Sequence, residues 1–228
     1  MEKRKILVNK KEKDVSLLGF GCMRFPMKDG EVDIDESKKM VDYAIKNGLN
    51  YIDTAWPYHD GKSELIVQEI MKEYPRESYF LADKLPLWEV KTNDDVEQIF
   101  NEQLEKCGVE YFDFYLIHAV NKQRYDQAIE LNLLKQLEEL KKEGKIRNIG
   151  FSFHDDLETF KKWVDLYNWD FCQIQLNYMD IEHQQGIEGY NILTEKGIPV
   201  IVMEPVKGGS IVKFNDQIES KMKSYRPN

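Results

Sequence analysis

Residues 112–119 read FDFYLIHA, a nearly continuous apolar run with a histidine near its end. A short run of this kind, rich in aromatic and branched residues, is typical of a strand buried on both faces of a parallel sheet. Similar runs lie on either side of it: VSLLGFGC (15–22), YIDTA (51–55), YFLADK (79–84), IRNIGFSF (146–153), FCQIQLN (171–177) and PVIVMEP (199–205). From residue 51 onward the runs begin 25 to 34 residues apart. This spacing is close to the length of one strand–helix–strand unit.

The segments between the runs have the spacing of helices. Apolar residues of DESKKMVDYAIKNG (35–48) repeat on one helical face, and NDDVEQIFNEQLEKCG (93–108) opens with Asn93 as the predicted N-cap and closes at Gly108. Trp163 and Trp169 are predicted to pack between a helix and the sheet. Since no proline-rich or low-complexity linker interrupts the alternation, we predict one α/β domain with a parallel sheet over residues 1–228.

A barrel is favoured over a doubly wound sheet, because GFGCMR (19–24) lacks the G-x-G-x-x-G spacing of a dinucleotide-binding loop. The predicted fold is therefore a TIM-type (β/α)8 barrel. After the seventh run the sequence continues only with SIVKFNDQIESKMKSYRPN (210–228), which has room for one short helix. We expect an incomplete barrel with seven strands and no eighth βα unit. Its first and last strands would have unpaired edges, which promote self-association.

Composition excludes several functional classes. The net charge of −9 disfavours a surface that tracks nucleic-acid phosphates. No apolar run approaches the roughly 20 residues of a membrane helix, and the N-terminus is charged, so we expect a cytoplasmic protein without membrane contact. Cys22, Cys107 and Cys172 form no C-x-x-C pair, which indicates small buried residues and neither disulfides nor a zinc site.

Polar residues end the predicted strands, and a barrel brings strand ends to one mouth. Asp53, Lys84 and His118 end three of the runs, and Tyr58 lies on the loop after Asp53. Together they suggest a proton-donor site: Asp53 holds the Lys84 ammonium, which lowers the pKa of Tyr58 toward neutrality, while a neutral His118 orients a carbonyl oxygen. Because no side chain can supply hydride, such a site requires a nicotinamide or a flavin.

Several stretches resemble the aldo-keto reductase family in order and spacing from about residue 5 to about residue 212. They are LLGFGCMRFP, YIDTAWPYHDGKSE, LADK, FDFYLIH, KIRNIGFSFH, CQIQLNY and VIVMEPVKGG. The sequence is most similar to a branch of this family whose members often carry a C-terminal iron–sulfur module. The resemblance implies an eight-unit barrel that binds NADP(H) in an extended pose, and an N-terminal hairpin, KILVNKKEKDVSLL (5–18), that plugs the barrel floor.

The resemblance also assigns site residues. Asp53, Tyr58, Lys84 and His118 match the family's catalytic tetrad, with Tyr58 as general acid. The residues expected to bind the cofactor are Met23, Arg24, Asp53, Ser152, Gln175, Met203, Pro205, Lys207 and Gly208. Met203 stands where many members have an aromatic residue, and Phe153 where the pattern has asparagine. NADP(H) is favoured over NAD(H), although the eighth unit that would grip the 2′-phosphate is expected to be missing, and no iron–sulfur cluster is expected.

The predicted function is NAD(P)H-dependent reduction of an aldehyde or ketone to an alcohol. Trp56, His59 and Trp88 are predicted to line the pocket for a small carbonyl substrate. One alternative is a truncated relic that binds nucleotide with weak or no turnover. A remote alternative is a metal-dependent barrel hydrolase, which the absence of H-x-H and H-E-x-x-H spacing disfavours, so that no metal ligands are assigned.

Overall fold

Seven parallel strands form the central sheet of the computed structural model, which describes residues 1–225. In chain order the elements are β1 (Lys3–Val8), β2 (Lys11–Ser16), β3 (Phe20–Gly21), β4 (Met27–Lys28), β5 (Glu31–Val32), α1 (Ile34–Lys46), β6 (Tyr51–Asp53), α2 (Ser63–Met71), β7 (Phe80–Leu85), α3 (Asn93–Cys107), β8 (Phe112–Val120), α4 (Lys122–Glu130), α5 (Leu133–Lys142), β9 (Ile146–Phe153), α6 (Leu157–Leu166), β10 (Phe171–Gln175), α7 (Gly186–Glu195), β11 (Val200–Met203) and α8 (Asp216–Tyr225). Short 3-10 turns lie at Cys22–Arg24, Arg76–Ser78 and Lys207–Gly209.

The sheet has the order β11-β10-β9-β8-β7-β6-β3 and curls into a half-barrel. Each neighbouring pair is parallel, which confirms the predicted barrel class with seven strands. Among residues 1–225, β3 and β11 each have a strand on one side only. Self-association through these two edges stays a prediction. The single domain over residues 1–228 also stays a prediction, and its last three residues, 226–228, lie outside the described part.

The prediction that VSLLGFGC (15–22) forms a single strand is wrong. Val15 and Ser16 belong to the antiparallel β1–β2 hairpin, where they pair with Arg4 and Lys3. The barrel strand β3 then consists of Phe20 and Gly21 alone. The apolar run continues through both elements, so composition alone does not mark the break.

The hairpin closes the floor of the half-barrel, as the family resemblance implied. Val8 and Val15 are buried in one cluster with Tyr51, Phe114 and Phe171 from the sheet interior. Asn148 on β9 fixes the hairpin turn, because its amide donates to the Leu7 carbonyl at 2.6 Å and accepts from the Asn9 amide at 3.0 Å. The polar groups of the turn are therefore satisfied where they meet the sheet.

The residues at the helix termini explain where α1 starts and where α3 starts and stops. The Asp33 carboxylate accepts a hydrogen bond from the Glu36 amide and caps α1. α3 is capped by Thr92, which forms a capping box with Asp95, so the prediction of Asn93 as the cap is wrong by one residue. Gly108 ends α3 with a φ of 64°, a left-handed conformation that glycine adopts without strain.

The main core lies between the sheet and the helices that cover it. Phe151 of β9 contacts the rings of Trp163 and Trp169, which are both buried, so their predicted packing role is confirmed. The three cysteines are buried and free, as predicted. No helix in the described part of the chain is both long and apolar enough to span a membrane.

Candidate active site

An ion pair between β6 and β7 lies at the carboxyl ends of the strands. The Lys84 side chain, 1% exposed, donates from Nζ to Asp53 Oδ1 at 2.6 Å and to the Thr54 carbonyl at 2.6 Å. Burial lowers the pKa of Lys84, but the charge and hydrogen bond of Asp53, together with the nearby Tyr58 and Asp83, more than offset this, so the pKa is raised. Lys84 is therefore a fixed positive charge inside the barrel mouth.

Gln173 on β10 holds the other oxygen of the same carboxylate. Its Nε2 donates to Asp53 Oδ2 at 2.9 Å, across the sheet interior. The sequence interpretation did not include Gln173, although strand alternation places it on the same face as Gln175, which it did include. The alternation in FCQIQ (171–175) indicates which face of the strand Gln173 occupies. It does not indicate the contact with Asp53, because 120 residues separate the two residues.

Tyr58 lies beside the lysine. Lys84 Nζ is 3.4 Å from the Tyr58 hydroxyl oxygen and 4.9 Å from the centroid of its ring. Burial raises the pKa of Tyr58, and the Lys84 charge lowers it by less, so the pKa stands above its ordinary value. The predicted lowering toward neutrality is therefore wrong for this structure. Because the phenol stays protonated, Tyr58 can donate a proton.

His118 completes the group from β8. Its ring is 6.1 Å from the Tyr58 ring, centroid to centroid, and nearly perpendicular to it. Burial, and next the charge of Lys84, hold the pKa of His118 well below its ordinary value, so the imidazole is neutral. Nδ1 is buried and has no hydrogen-bond partner among the described residues. The structure thus brings all four predicted catalytic side chains to one mouth.

We call the opposite side of the mouth the cofactor wall. It comprises the predicted residues on β9, β10, β11 and the turn that follows: Ser152, Gln175, Met203, Pro205, Lys207 and Gly208. Ser152 Oγ accepts from the Ala119 amide at 2.8 Å. Gln175 Nε2 donates to Asp180 Oδ2 at 3.0 Å, whereas its Oε1 is buried without a partner in residues 1–225. An orphaned amide oxygen fits the N–H donors of a nicotinamide carboxamide.

The far end of the cofactor wall carries positive charge. Lys207 Nζ lies 2.8 Å from Asp180 Oδ2, and the lysine side chain is 47% exposed. Gly208 has a φ of 65°, and a Cβ there would lie 3.4 Å from the Arg24 Cζ. Arg24 from the turn after β3 therefore meets the turn after β11. Two basic residues beside an open glycine backbone fit a pyrophosphate.

The remaining predicted site residues have varied surroundings. Met203 ends β11 next to Gln175, Pro205 is exposed and Met23 is half exposed. Trp88 is the predicted pocket residue that contacts the tetrad, at 5.1 Å between its ring centroid and that of His118. The cofactor and substrate roles of these residues stay predictions.

Trp56 and His59 make their contacts elsewhere. Lys106 Nζ of α3 lies 3.8 Å from the Trp56 ring centroid. His59 Nε2 accepts from the Phe25 amide at 3.2 Å, and the two rings stack at 5.6 Å. His59 therefore connects the Tyr58 loop to the turn that carries Met23 and Arg24. The place of Trp56 and His59 in a substrate pocket stays a prediction.

The metal-dependent hydrolase alternative requires a cluster of metal-ligating side chains. Within residues 1–225, no group of three or more histidine, cysteine, aspartate or glutamate side chains is arranged to hold a metal ion. His154 is exposed directly after β9 and approaches Gln184, and its charge contributes to lowering the pKa of His118.

Solved structures share this fold. An aldo-keto reductase from Bacillus halodurans in its holo form superimposes with a TM-score of 0.74 and 26% identity, over 91% of this chain and 68% of that one. An aldo-keto reductase from Klebsiella pneumoniae, solved with NADPH, has a TM-score of 0.72 at 22% identity, over 100% and 78% of the two chains. The second likeness concerns the fold alone.

Curated relatives include two reductases of short dicarbonyl compounds. The chain is 28% identical to the NADH-specific methylglyoxal reductase of Escherichia coli, over 90% of this chain and 68% of that protein. It is 36% identical to the glyoxal reductase of Bacillus subtilis, over 60% of this chain and 46% of that protein, so it spans less than half of the latter. The model of the Aldo/keto reductase family matches residues 17–228, and with the fold and the tetrad in place the chain belongs to this family.

Proposed function

We propose that the chain reduces an aldehyde or ketone to an alcohol with NADPH or NADH, using Tyr58 as the general acid. The observation that carries the proposal is the position of Lys84. Its buried ammonium contacts the Asp53 carboxylate and the Tyr58 hydroxyl at the same time. A structural ion pair would need the first contact only. The second places a positive charge where a tyrosine would become negative after losing its proton.

In this proposal each tetrad side chain has one task. Tyr58 donates its proton to the carbonyl oxygen, and Lys84 stabilises the phenolate that remains. Asp53 and Gln173 keep the ammonium in place. His118, held neutral, can offer a hydrogen bond to the same carbonyl oxygen without placing a second cation beside Lys84. Together they polarise the carbonyl carbon for reduction.

The reductant is proposed to bind along the cofactor wall. A reduced nicotinamide supplies the hydride that no side chain can provide. Ser152 and Gln175 are positioned to hold its carboxamide, and Arg24, Lys207 and the backbone at Gly208 to hold its pyrophosphate. We propose NADP(H) ahead of NAD(H), as the resemblance of the sequence to the aldo-keto reductases implies. The NADH-specific name of the Escherichia coli relative makes the direct comparison of both nucleotides necessary.

The substrate is proposed to be a small carbonyl compound. The names of two relatives refer to methylglyoxal and glyoxal, which are short dicarbonyls. Trp88 supplies an aromatic surface next to His118, and such surfaces are common in pockets for small organic molecules.

The test is a titration of the purified chain with NADPH and with NADH, followed by carbonyl-dependent oxidation of the bound nucleotide. We expect saturable binding of NADPH and oxidation that requires methylglyoxal or glyoxal. Binding without oxidation over a panel of aldehydes and ketones would contradict the proposal and favour the nucleotide-binding relic. A chelator should leave the rate unchanged, whereas loss of activity with chelator would favour the metal-dependent alternative.

A further inference from the structure

Arg124 stands in the first turn of α4, directly after the strand that carries His118. The Asn121 side chain caps this turn by accepting from the Arg124 amide at 3.0 Å. The N-terminal end of a helix is the positive end of its dipole, so an arginine there is electrostatically unfavourable. Helix formation therefore gives no reason for a cation at this position.

The guanidinium is directed toward the mouth. Its Cζ lies 5.2 Å from the centroid of the Trp88 ring, and that ring lies 5.1 Å from the His118 ring. Trp88 thus contacts both the arginine and the tetrad. Burial lowers the pKa of His118 most, followed by the charges of Lys84 and His154, and the charge of Arg124 makes the smallest contribution.

This cation lacks the carboxylate partner that Arg76 and Arg147 have. Arg76 donates to Asp113 Oδ2 at 2.7 Å, and Arg147 lies 3.7 Å from the same carboxylate. Nε is buried without a hydrogen-bond partner in both Arg76 and Arg124, but among residues 1–225 Arg124 forms no ion pair with a carboxylate. Burial lowers the pKa of Arg124, and no carboxylate of the described chain offsets it. A partly buried cation without a counterion is unfavourable, and an anion that reaches it offsets that cost.

We propose that Arg124 binds the carboxylate of the carbonyl substrate, so that the preferred substrates are oxo acids with the carboxylate and the reacting carbonyl at opposite ends. The inference rests on the proposed reductase function and specifies its substrate class. A planar guanidinium matches a planar carboxylate, and Trp88 beneath it restricts the plane in which the two can meet. The substrate would extend from Tyr58 and His118 across Trp88 to Arg124. Arg124 is in this sense a specificity-determining residue.

The test compares substrates that differ only in charge. The pairs are 4-carboxybenzaldehyde with methyl 4-formylbenzoate, and succinic semialdehyde with its methyl ester, so that two spacings are sampled. We expect the wild-type chain to prefer the acid of at least one pair, and Arg124→Gln to lower kcat/KM for that acid about 10- to 100-fold, the usual range for a charge-assisted hydrogen bond. The ester should change less than twofold.

Matched variants separate binding from packing. Lys122→Gln removes an exposed cation from the same helical turn and should leave the acid preference intact. Arg124→Lys keeps the charge without the planar fork and should recover part of the preference. Equal losses for acid and ester in Arg124→Gln would indicate a packing role under Trp88 and would overturn the proposal.

A binding measurement keeps the inference separate from turnover. The alcohols 4-(hydroxymethyl)benzoate and methyl 4-(hydroxymethyl)benzoate are titrated into the chain with NADPH present, which cannot oxidise them, and binding is followed by NMR. We expect the acid to bind more weakly to Arg124→Gln than to the wild type, with no change for the ester. If neither aldehyde is reduced but this difference is found, the proposed function fails and the anion site stands. If the aldehydes are reduced but the difference is missing, the anion site fails and the function stands.

Discussion

The tetrad and the cofactor wall face each other across one mouth but differ in burial and in internal pairing. Lys84 is 1% exposed and its ammonium is engaged by Asp53 and Thr54, whereas Lys207 is 47% exposed and pairs with Asp180 near the surface. On the tetrad side Asp53 and Lys84 are held before any ligand binds, whereas Nδ1 of His118 has no hydrogen-bond partner among residues 1–225. On the cofactor wall Gln175 keeps an unpaired oxygen. Under the proposed function, the ammonium beside the proton donor would be preorganised by the fold, while the wall would be completed by its ligand.

Removal of the buried Lys84 ammonium should produce the largest effect by which this comparison can be tested. Lys84→Met leaves Asp53 largely buried without its ammonium, and breaking such a pair costs about 3–5 kcal/mol of the free energy of unfolding. Lys62→Met is the matched control, because Lys62 pairs with Glu31 at 2.7 Å on the surface, where such a pair contributes about 0–1 kcal/mol. Urea denaturation measures both. Equal losses would show that burial does not distinguish the two pairs.

Gln173 and Gln175 lie on the same strand, β10, but Gln173 contacts the tetrad whereas Gln175 belongs to the cofactor wall. Gln173→Leu removes the bond to Asp53, and we predict a roughly tenfold lower kcat with unchanged nucleotide affinity. Gln175→Leu removes a group of the cofactor wall, and we predict a roughly tenfold weaker nucleotide affinity with kcat retained at saturation. Steady-state kinetics and nucleotide titration of both variants provide the comparison. The same kinetic pattern in both would contradict the division.

The depressed pKa of His118 predicts a pH dependence of stability on the tetrad side. A histidine whose pKa is lower in the folded state binds fewer protons there than in the unfolded chain, so the free energy of unfolding rises with pH between the two pKa values. Its contribution is present above about pH 6.5 and is lost as the pH falls, at up to about 1.4 kcal/mol per pH unit. Urea denaturation from pH 8 to pH 5 should show a steeper decline in the wild type than in His118→Gln. Parallel declines would indicate that His118 titrates normally.

The smallest effect is expected at the exposed end of the wall. Lys207→Ala should weaken NADPH binding by no more than about 1 kcal/mol, because water screens an exposed pair. The loss should shrink as salt is added. Lys213→Ala, an exposed lysine a short distance along the chain, is the control and should leave the affinity unchanged. A loss far above tenfold would show that Lys207 is enclosed once nucleotide binds.

Much of this arrangement could be predicted from the sequence, since strand ends in a parallel barrel meet at one mouth. The run at residues 146–153 matches β9 from end to end, and Asp53, Tyr58, Lys84 and His118 converge as predicted. The hydrogen bond of Gln173 could not be foreseen, because it depends on how far the sheet curls. The direction of the Tyr58 pKa shift was missed for a related reason: burial outweighs a neighbouring charge, and burial is a property of the folded chain.

The most direct measurement is the rate of NADPH oxidation in a single turnover, with nucleotide bound beforehand and methylglyoxal added by rapid mixing. We compare the wild type with Tyr58→Phe, and use Tyr43→Phe, at an exposed tyrosine, as the control. We predict that Tyr58→Phe binds NADPH normally and loses about 10²- to 10⁴-fold in rate, the usual contribution of a general acid, while Tyr43→Phe keeps the full rate. An unchanged rate in Tyr58→Phe would contradict the assignment of the proton donor.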